Sequence, residues 1–158
     1  MKRVNAIVHH PVFAARLKRL EELEAERVFC RHDLTHLLDV ARLMWIDVLE
    51  GQLPLDREVV YAAALLHDIG RTDQIERGIP HDQAGAELAA RILPEAGFSP
   101  EEARQILRAI RGHRADGSED ILGKLLYRSD KAFRACWCCG AKGECNWSEE
   151  KKNWDLTR

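Results

Sequence analysis

Residues 63–73 read AALLHDIGRTD, and the fold and chemistry of the chain both turn on how they are understood. An apolar run of alanine and leucine stops at His67 and Asp68, with Gly70 just beyond. Burying an imidazole or a carboxylate alone is costly unless each gains a partner. A metal ion would satisfy both, so the question becomes whether the rest of the chain supplies further ligands.

Outward from that pair, almost every segment has helical period and no window alternates as a strand does. A helix is expected from Pro11, which suits a first helical position, through FAARLKRLEELEAERVF. A second is expected from Asp33 as N-cap to Gly51 as its stop. The run DREVVYAAALLHDIG gives a third, opened by Asp56 and closed at Gly70. A loop rich in Gly, Asp and Pro then leads to a fourth over 82–96. Ser99, Pro100 and Glu102 supply an N-cap, a proline at N1 and a capping-box glutamate for a fifth, ending near Gly112. A sixth is SEDILGKLLYRSDKAFRA, with Ser118 as its cap. The expectation is an all-α, compact single-domain helical bundle of about six helices. An N-terminal helix over 1–29 would pack on a core of 30–135, and 136–158 would be an irregular Cys-rich tail.

Composition narrows the function. The 158 residues are 46% hydrophobic and 32% charged, the balance of an ordinary globular domain. A formal net charge of -2 offers no field to draw nucleic acid or an anionic membrane. No apolar stretch is long enough for a membrane span and the N-terminus lacks a signal-peptide core, so the cytoplasm is the expected compartment. Leu17, Leu20 and Leu23, with Val28 and Phe29, form a stripe that either covers the core or makes a homodimer face.

Six polar residues fall on inward stripes. His36 shares a face with Val40 and Leu43; His67 with Ala63, Ala64 and Val60; Asp68 with Ala64 and Tyr61. His81 leads Gly85, Leu88 and Ile92, His113 continues Ile106 and Ile110, and Asp130 follows Gly123 and Leu126. Singly, a histidine on an apolar face is an ordinary hydrogen-bonded core residue and an aspartate at a helix end an ordinary cap. Together they each need a buried partner, which one metal centre would supply. Imidazole and carboxylate suit Mn, Fe, Co, Ni or Zn, and the mixture argues against a thiolate-type structural site. Asp68, with two oxygens, could bridge two ions, His36, His67 and Asp130 completing one site and His81 and His113 the other.

This ordered set of His36, His67-Asp68, His81, His113 and Asp130-Lys131 resembles the HD-domain superfamily of metal-dependent phosphohydrolases, over roughly residues 30 to 135. The resemblance implies a helical bundle of the HD-domain type, in which His36, His67, Asp68 and Asp130 hold one metal and Asp68 is the catalytic carboxylate. His81 and His113 match the subset with a second metal, which is similar to bacterial hydrolases of symmetrical dinucleoside tetraphosphates. It also implies a small phosphorylated substrate, a nucleotide or dinucleoside polyphosphate, cleaved by a metal-activated water. Arg71 and Lys131 are the candidates for gripping phosphate through charge. The same ligands with two irons would suit a di-iron oxygenase, and a non-catalytic nucleotide-binding regulatory module is a third reading. His32 could compete with His36 as ligand; Asp33 and Asp73 read as cap or loop residues, and His9 and His10 as surface residues.

The tail adds a separate question. Of five cysteines, Cys136, Cys138, Cys139 and Cys145 crowd near the C-terminus, an arrangement unlike a secreted disulfide framework. Cys136-x-x-Cys139 is a spacing that clamps Zn or an iron–sulfur cluster. Cys30 precedes His36 by the interval at which Cys136 follows Asp130. If the two helices run antiparallel, Cys30, Cys136, Cys139 and Cys145 could close one site; the alternative is a set of reduced, partly buried thiols.

Overall fold

The run from Val59 to Leu66 is buried at every residue but Tyr61, and it forms the central helix of the protein. A helix that is apolar all round must be covered on every side. The computed structural model, which describes residues 1–113 and 120–156, covers it with five other helices. Among the described residues there are eight α-helices and no strand. They are α1 (Lys2–Val8), α2 (Pro11–Leu23), α3 (Leu34–Glu50), α4 (Arg57–Leu66), α5 (Arg71–Arg77), α6 (His81–Glu95), α7 (Pro100–Gly112) and α8 (Ile121–Ala132). Helices α1, α3, α6, α7 and α8 all pack on α4. No described helix is long and apolar enough to cross a membrane.

Helix starts follow local chemistry. The Asp33 side chain accepts from the His36 N–H at 3.0 Å, and Asp56 accepts from Glu58 and Val59. The capping box is complete: Glu102 N–H donates to Ser99 Oγ at 3.3 Å and Ser99 N–H to Glu102 Oε2 at 2.8 Å. Each satisfies a backbone donor that the first helical turn leaves without a partner. The Ser118 cap falls outside the described residues; Asp120 occupies the N-cap position of α8.

Four expectations need correction. Residues 2–8, which precede the helix start expected at Pro11, form a separate helix α1, held by buried Val4 and Ile7 and by Arg3, which pairs with Glu58 at 2.8 Å and Glu102 at 2.7 Å. Helix α2 stops at Leu23 instead of continuing to Phe29, because Glu24 turns inward to hold His32. Helix α4 ends at Leu66, and the expected loop after Gly70 contains α5. His10 is not simply a surface residue: it caps α2, its Nδ1 accepting from Val12 N–H at 3.2 Å. The stripe on α2 splits, with Leu20 buried and Leu17 packed on the core while Val28 is exposed.

Candidate metal centre

The six polar residues all stand at helix ends. His36 lies in the first turn of α3, His67 caps the C-terminus of α4, and Asp68 follows in the turn. His81 opens α6, His113 caps the end of α7, and Asp130 sits in the last turn of α8. All six meet in the interior. Asp68 Oδ2 is 3.3 Å from His36 Nε2 and 3.3 Å from His67 Nε2. Asp130 Oδ1 closes that set at 3.6 Å from His36 Nε2 and 3.7 Å from His67 Nε2. The other oxygen, Asp68 Oδ1, is 3.6 Å from His81 Nε2 and 3.9 Å from His113 Nε2, with the two imidazole nitrogens 3.0 Å apart. Two groups able to hold an ion result, sharing Asp68.

The donor set fits a cation. His36 Nε2, His67 Nε2 and Asp68 Oδ2 are buried without a hydrogen bond, while Asp68 Oδ1 is ion-paired with Arg71 Nε. Such unbonded atoms are rare in a folded interior, and a cation would supply the partner they need. The far side of the rings fixes what faces inward: His67 Nδ1 donates to the Ala64 carbonyl at 2.7 Å, and His113 Nδ1 to that of Ile110 at 2.5 Å. A carbonyl only accepts, so the Nε2 atoms carry the lone pairs available for a metal. His81 Nδ1 is held by Gln74 Oε1 in the same way.

Electrostatics divides the histidines. Burial alone would push His67 down, but the Asp68 and Asp130 carboxylates outweigh it and raise His67 to about 10. Burial lowers His36, against the opposing pull of Asp68, and lowers His113 to about 4, helped by the charge on His67. Asp68 lies well below the usual carboxylate range because His67 and Arg71 overcome its desolvation; Asp130 falls too, through His67 and Lys131. Without a cation the centre is therefore a protonated imidazole between two carboxylates, a charge a metal can replace.

Around the centre, Arg71 Nε is 2.9 Å from Asp68 Oδ1, and Lys131 Nζ contacts Asp130 Oδ2. Both residues line a cavity of about 330 Å³ that opens onto Asp130. His32, the competing candidate, stands 4.0 Å from Asp68 Oδ2, outside both groups. Its Nδ1 and backbone N–H are both held by Glu24, at 2.7 and 2.8 Å. Asp33 caps α3, while Asp73 pairs with Arg16 at 2.7 Å and Arg77 at 2.9 Å. Glu24 and Gln74 stand out in no sequence pattern, and Gly85 only as a member of the stripe that follows His81. A Cβ on Gly70 would fall 2.3 Å from Gly85 N and from the His81 carbonyl oxygen, so the glycine lets α6 close on the His67–Asp68 turn. No local pattern marks the roles of these three; each acts across a distance in sequence.

The HD domain family model matches residues 33–135, which include all six of these residues. The chain belongs to the HD domain family. An uncharacterized protein of Clostridium beijerinckii is 40% identical over 156 residues, 99% of each chain. A ribonuclease Y of Syntrophobacter fumaroxidans is 30% identical over 122 residues, 77% of this HD protein but 22% of the ribonuclease. The crystal structure of a predicted HD superfamily hydrolase from an uncultured Thermotogales bacterium shares the fold, with a TM-score of 0.68 and 24% identity, covering 91% of this chain and 80% of that one.

Proposed function

We propose that this HD protein is a metal-dependent phosphohydrolase that cleaves a phosphate ester or anhydride of a nucleotide, in the manner of a two-metal enzyme. The observation that carries the reading is the division of Asp68, with Oδ2 facing His36 and His67 and Oδ1 facing His81 and His113. Asp68 would thus serve both of the groups able to hold a cation. Bound there, divalent cations lower the pKa of water and offset charge on phosphoryl oxygens.

The chain's own residues do the rest. Ala64, Ile110 and Gln74 orient the imidazoles, so little reorganisation accompanies binding. Asp68 and Asp130, with depressed pKa values, stay ionised at neutral pH. Arg71 and Lys131, together with Arg27 and Arg134, give the adjoining cavity a cationic wall suited to phosphate. Trp147 lies on the same wall, with the Arg134 guanidinium over its ring at 3.9 Å. The ribonuclease Y likeness supports the assignment, since a ribonuclease breaks phosphate bonds in RNA. A cavity of about 330 Å³ fits a nucleotide at the small end of ligand sites.

The test is phosphate release from a panel of nucleoside phosphates and dinucleoside polyphosphates, with protein loaded in turn with Mn, Fe, Co, Ni and Zn. Turnover lost in His67→Ala and Asp68→Ala is the expected result. Metal-saturated protein that cleaves nothing on the panel, or that only consumes oxygen, removes the hydrolase reading.

A further inference from the structure

Residues 136–156 hold four cysteines and three tryptophans, yet none of these residues is buried. Two single turns of 3-10 helix, Cys136–Cys138 and Glu149–Lys151, are the regular structure there. Asn153 Nδ2 ties the segment to α8 through the carbonyls of Lys131, Ala132 and Arg134 at 2.8, 3.2 and 2.9 Å, and Trp137 N–H donates to the Asn153 carbonyl at 3.1 Å. Ordering a segment of this length costs more conformational entropy than a few partly exposed hydrogen bonds return. Small units without a core are ordinarily held by a disulfide or a metal.

All five cysteines are free thiols, and four of them line one cavity of about 230 Å³: Cys30, Cys136, Cys139 and Cys145. Cys30 comes from the connection between α2 and α3, the other three from the tail, so the cavity lies where the two segments meet. Cys138 points elsewhere, its Sγ lying 3.5 Å from the Ala135 carbonyl. Phe29 and Phe133 supply apolar wall, while Arg134, Lys142 and Lys152 bring three cations to it. A cationic rim around thiols is the environment of an anionic centre ligated by thiolates.

The spacing of the sulfurs chooses the centre. One tetrahedral zinc holds thiolates at about 2.3 Å from the ion, hence about 3.8 Å from one another. Among the described residues, the groups whose ligand atoms converge within 4.8 Å are the two that share Asp68, and no three of these thiols do so. The four thiols thus share one cavity without gathering at the spacing that a single ion imposes. An iron–sulfur cluster, whose own sulfides and irons fill the middle, uses four thiolates at wider spacing.

We propose that Cys30, Cys136, Cys139 and Cys145 ligate an iron–sulfur cluster that fastens the C-terminal segment to the helical bundle. The assignment is independent of the hydrolase reading. Its consequence meets that reading at the cavity beside Asp130, where Cys30 and Cys145 share the lining with Trp147. The cluster holds in place one wall of the cleft that leads to the His/Asp centre.

The experiment uses the full chain purified without oxygen and reconstituted with ferric iron, sulfide and a thiol reductant, which together supply the iron valences of a cluster. Acid-labile sulfide separates this cluster from iron on imidazole and carboxylate, which binds none. Sulfide together with a visible absorption bleached by dithionite is expected in the wild type, in Cys138→Ser and in His67→Ala. Cys139→Ala should lose both while keeping its helical circular dichroism, and its tail should be cut faster by trypsin at Lys142 and Lys151. Absence of sulfide in the reconstituted wild type, zinc filling these thiols without sulfide, or a chromophore retained by Cys139→Ala would each overturn the assignment. If Cys139→Ala does not fold, Cys30→Ser is read by the same criteria.

Discussion

Asp130 Oδ1 lies 3.7 Å from His67 Nε2, bringing the last turn of α8 to the end of α4. That approach makes one centre out of residues that local sequence leaves apart. It also gives Asp130 a role that differs from that of Asp68, because Asp130 belongs to one of the two groups and Asp68 to both.

Metal stoichiometry should therefore separate the ligands. Elemental analysis of Asp130→Ala is expected to show weakened binding at the position shared with His36 and His67. His81→Ala should weaken only the other position, and Asp68→Ala both. An Asp130→Ala protein with unchanged affinity at every position would remove Asp130 from the ligand set.

Metal-free stability should peak near neutrality. The depressed pKa values of Asp68 and Asp130 give stability that is present above the unfolded value of about 3.9 and lost as pH falls. His36 and His113, also depressed, are lost in the same direction below about 6.5. His67 has the opposite sign: raised to about 10, it gives stability that is complete below about 6.5 and lost as pH climbs through about 10. The melting temperature of metal-free protein should rise toward pH of about 6.5 and then decline. A cation competes with the His67 proton, so binding should release a proton on the alkaline limb. Calorimetry in buffers of different ionisation enthalpy measures that release.

Arg71 is expected to bind substrate through its planar fork. Arg71→Lys keeps the charge but loses the two-pronged geometry, and should raise KM about tenfold, equivalent to one charge-assisted hydrogen bond of about 1.4 kcal/mol. Metal content should not change. An unaltered KM would place Arg71 outside the substrate's reach.

Gly70→Ala puts a methyl group against the backbone of Gly85 and His81. Overpacking of this kind should cost about 3 kcal/mol, read as a lowered urea midpoint. Because α6 must move, the metal position that uses His81 should weaken more than the one that uses His36.

Ser99→Ala separates stability from chemistry. Loss of the capping box on α7 should cost about 1 kcal/mol while metal content and turnover stay at wild-type levels. A concurrent loss of metal would mean that the start of α7 is coupled to His113 at its other end.

The sequence by itself determined the starts of α3, α4 and α7, because Asp33, Asp56 and the Ser99–Glu102 pair act on donors within a single turn. It determined too that the six polar residues face inward, since helical phase places them on apolar stripes. It missed α1 and α5, which are short and lack a side-chain cap; Val4, Ile7 and Thr72 hold them through contacts with distant helices. Tertiary structure alone decided which oxygen of Asp68 meets which imidazoles, that Gly70 and Gly85 close against one another, and that Glu24 ends α2 by bonding His32. Capping and periodicity are fixed over a few residues, whereas those three depend on how whole helices cross, which only the packed core can set.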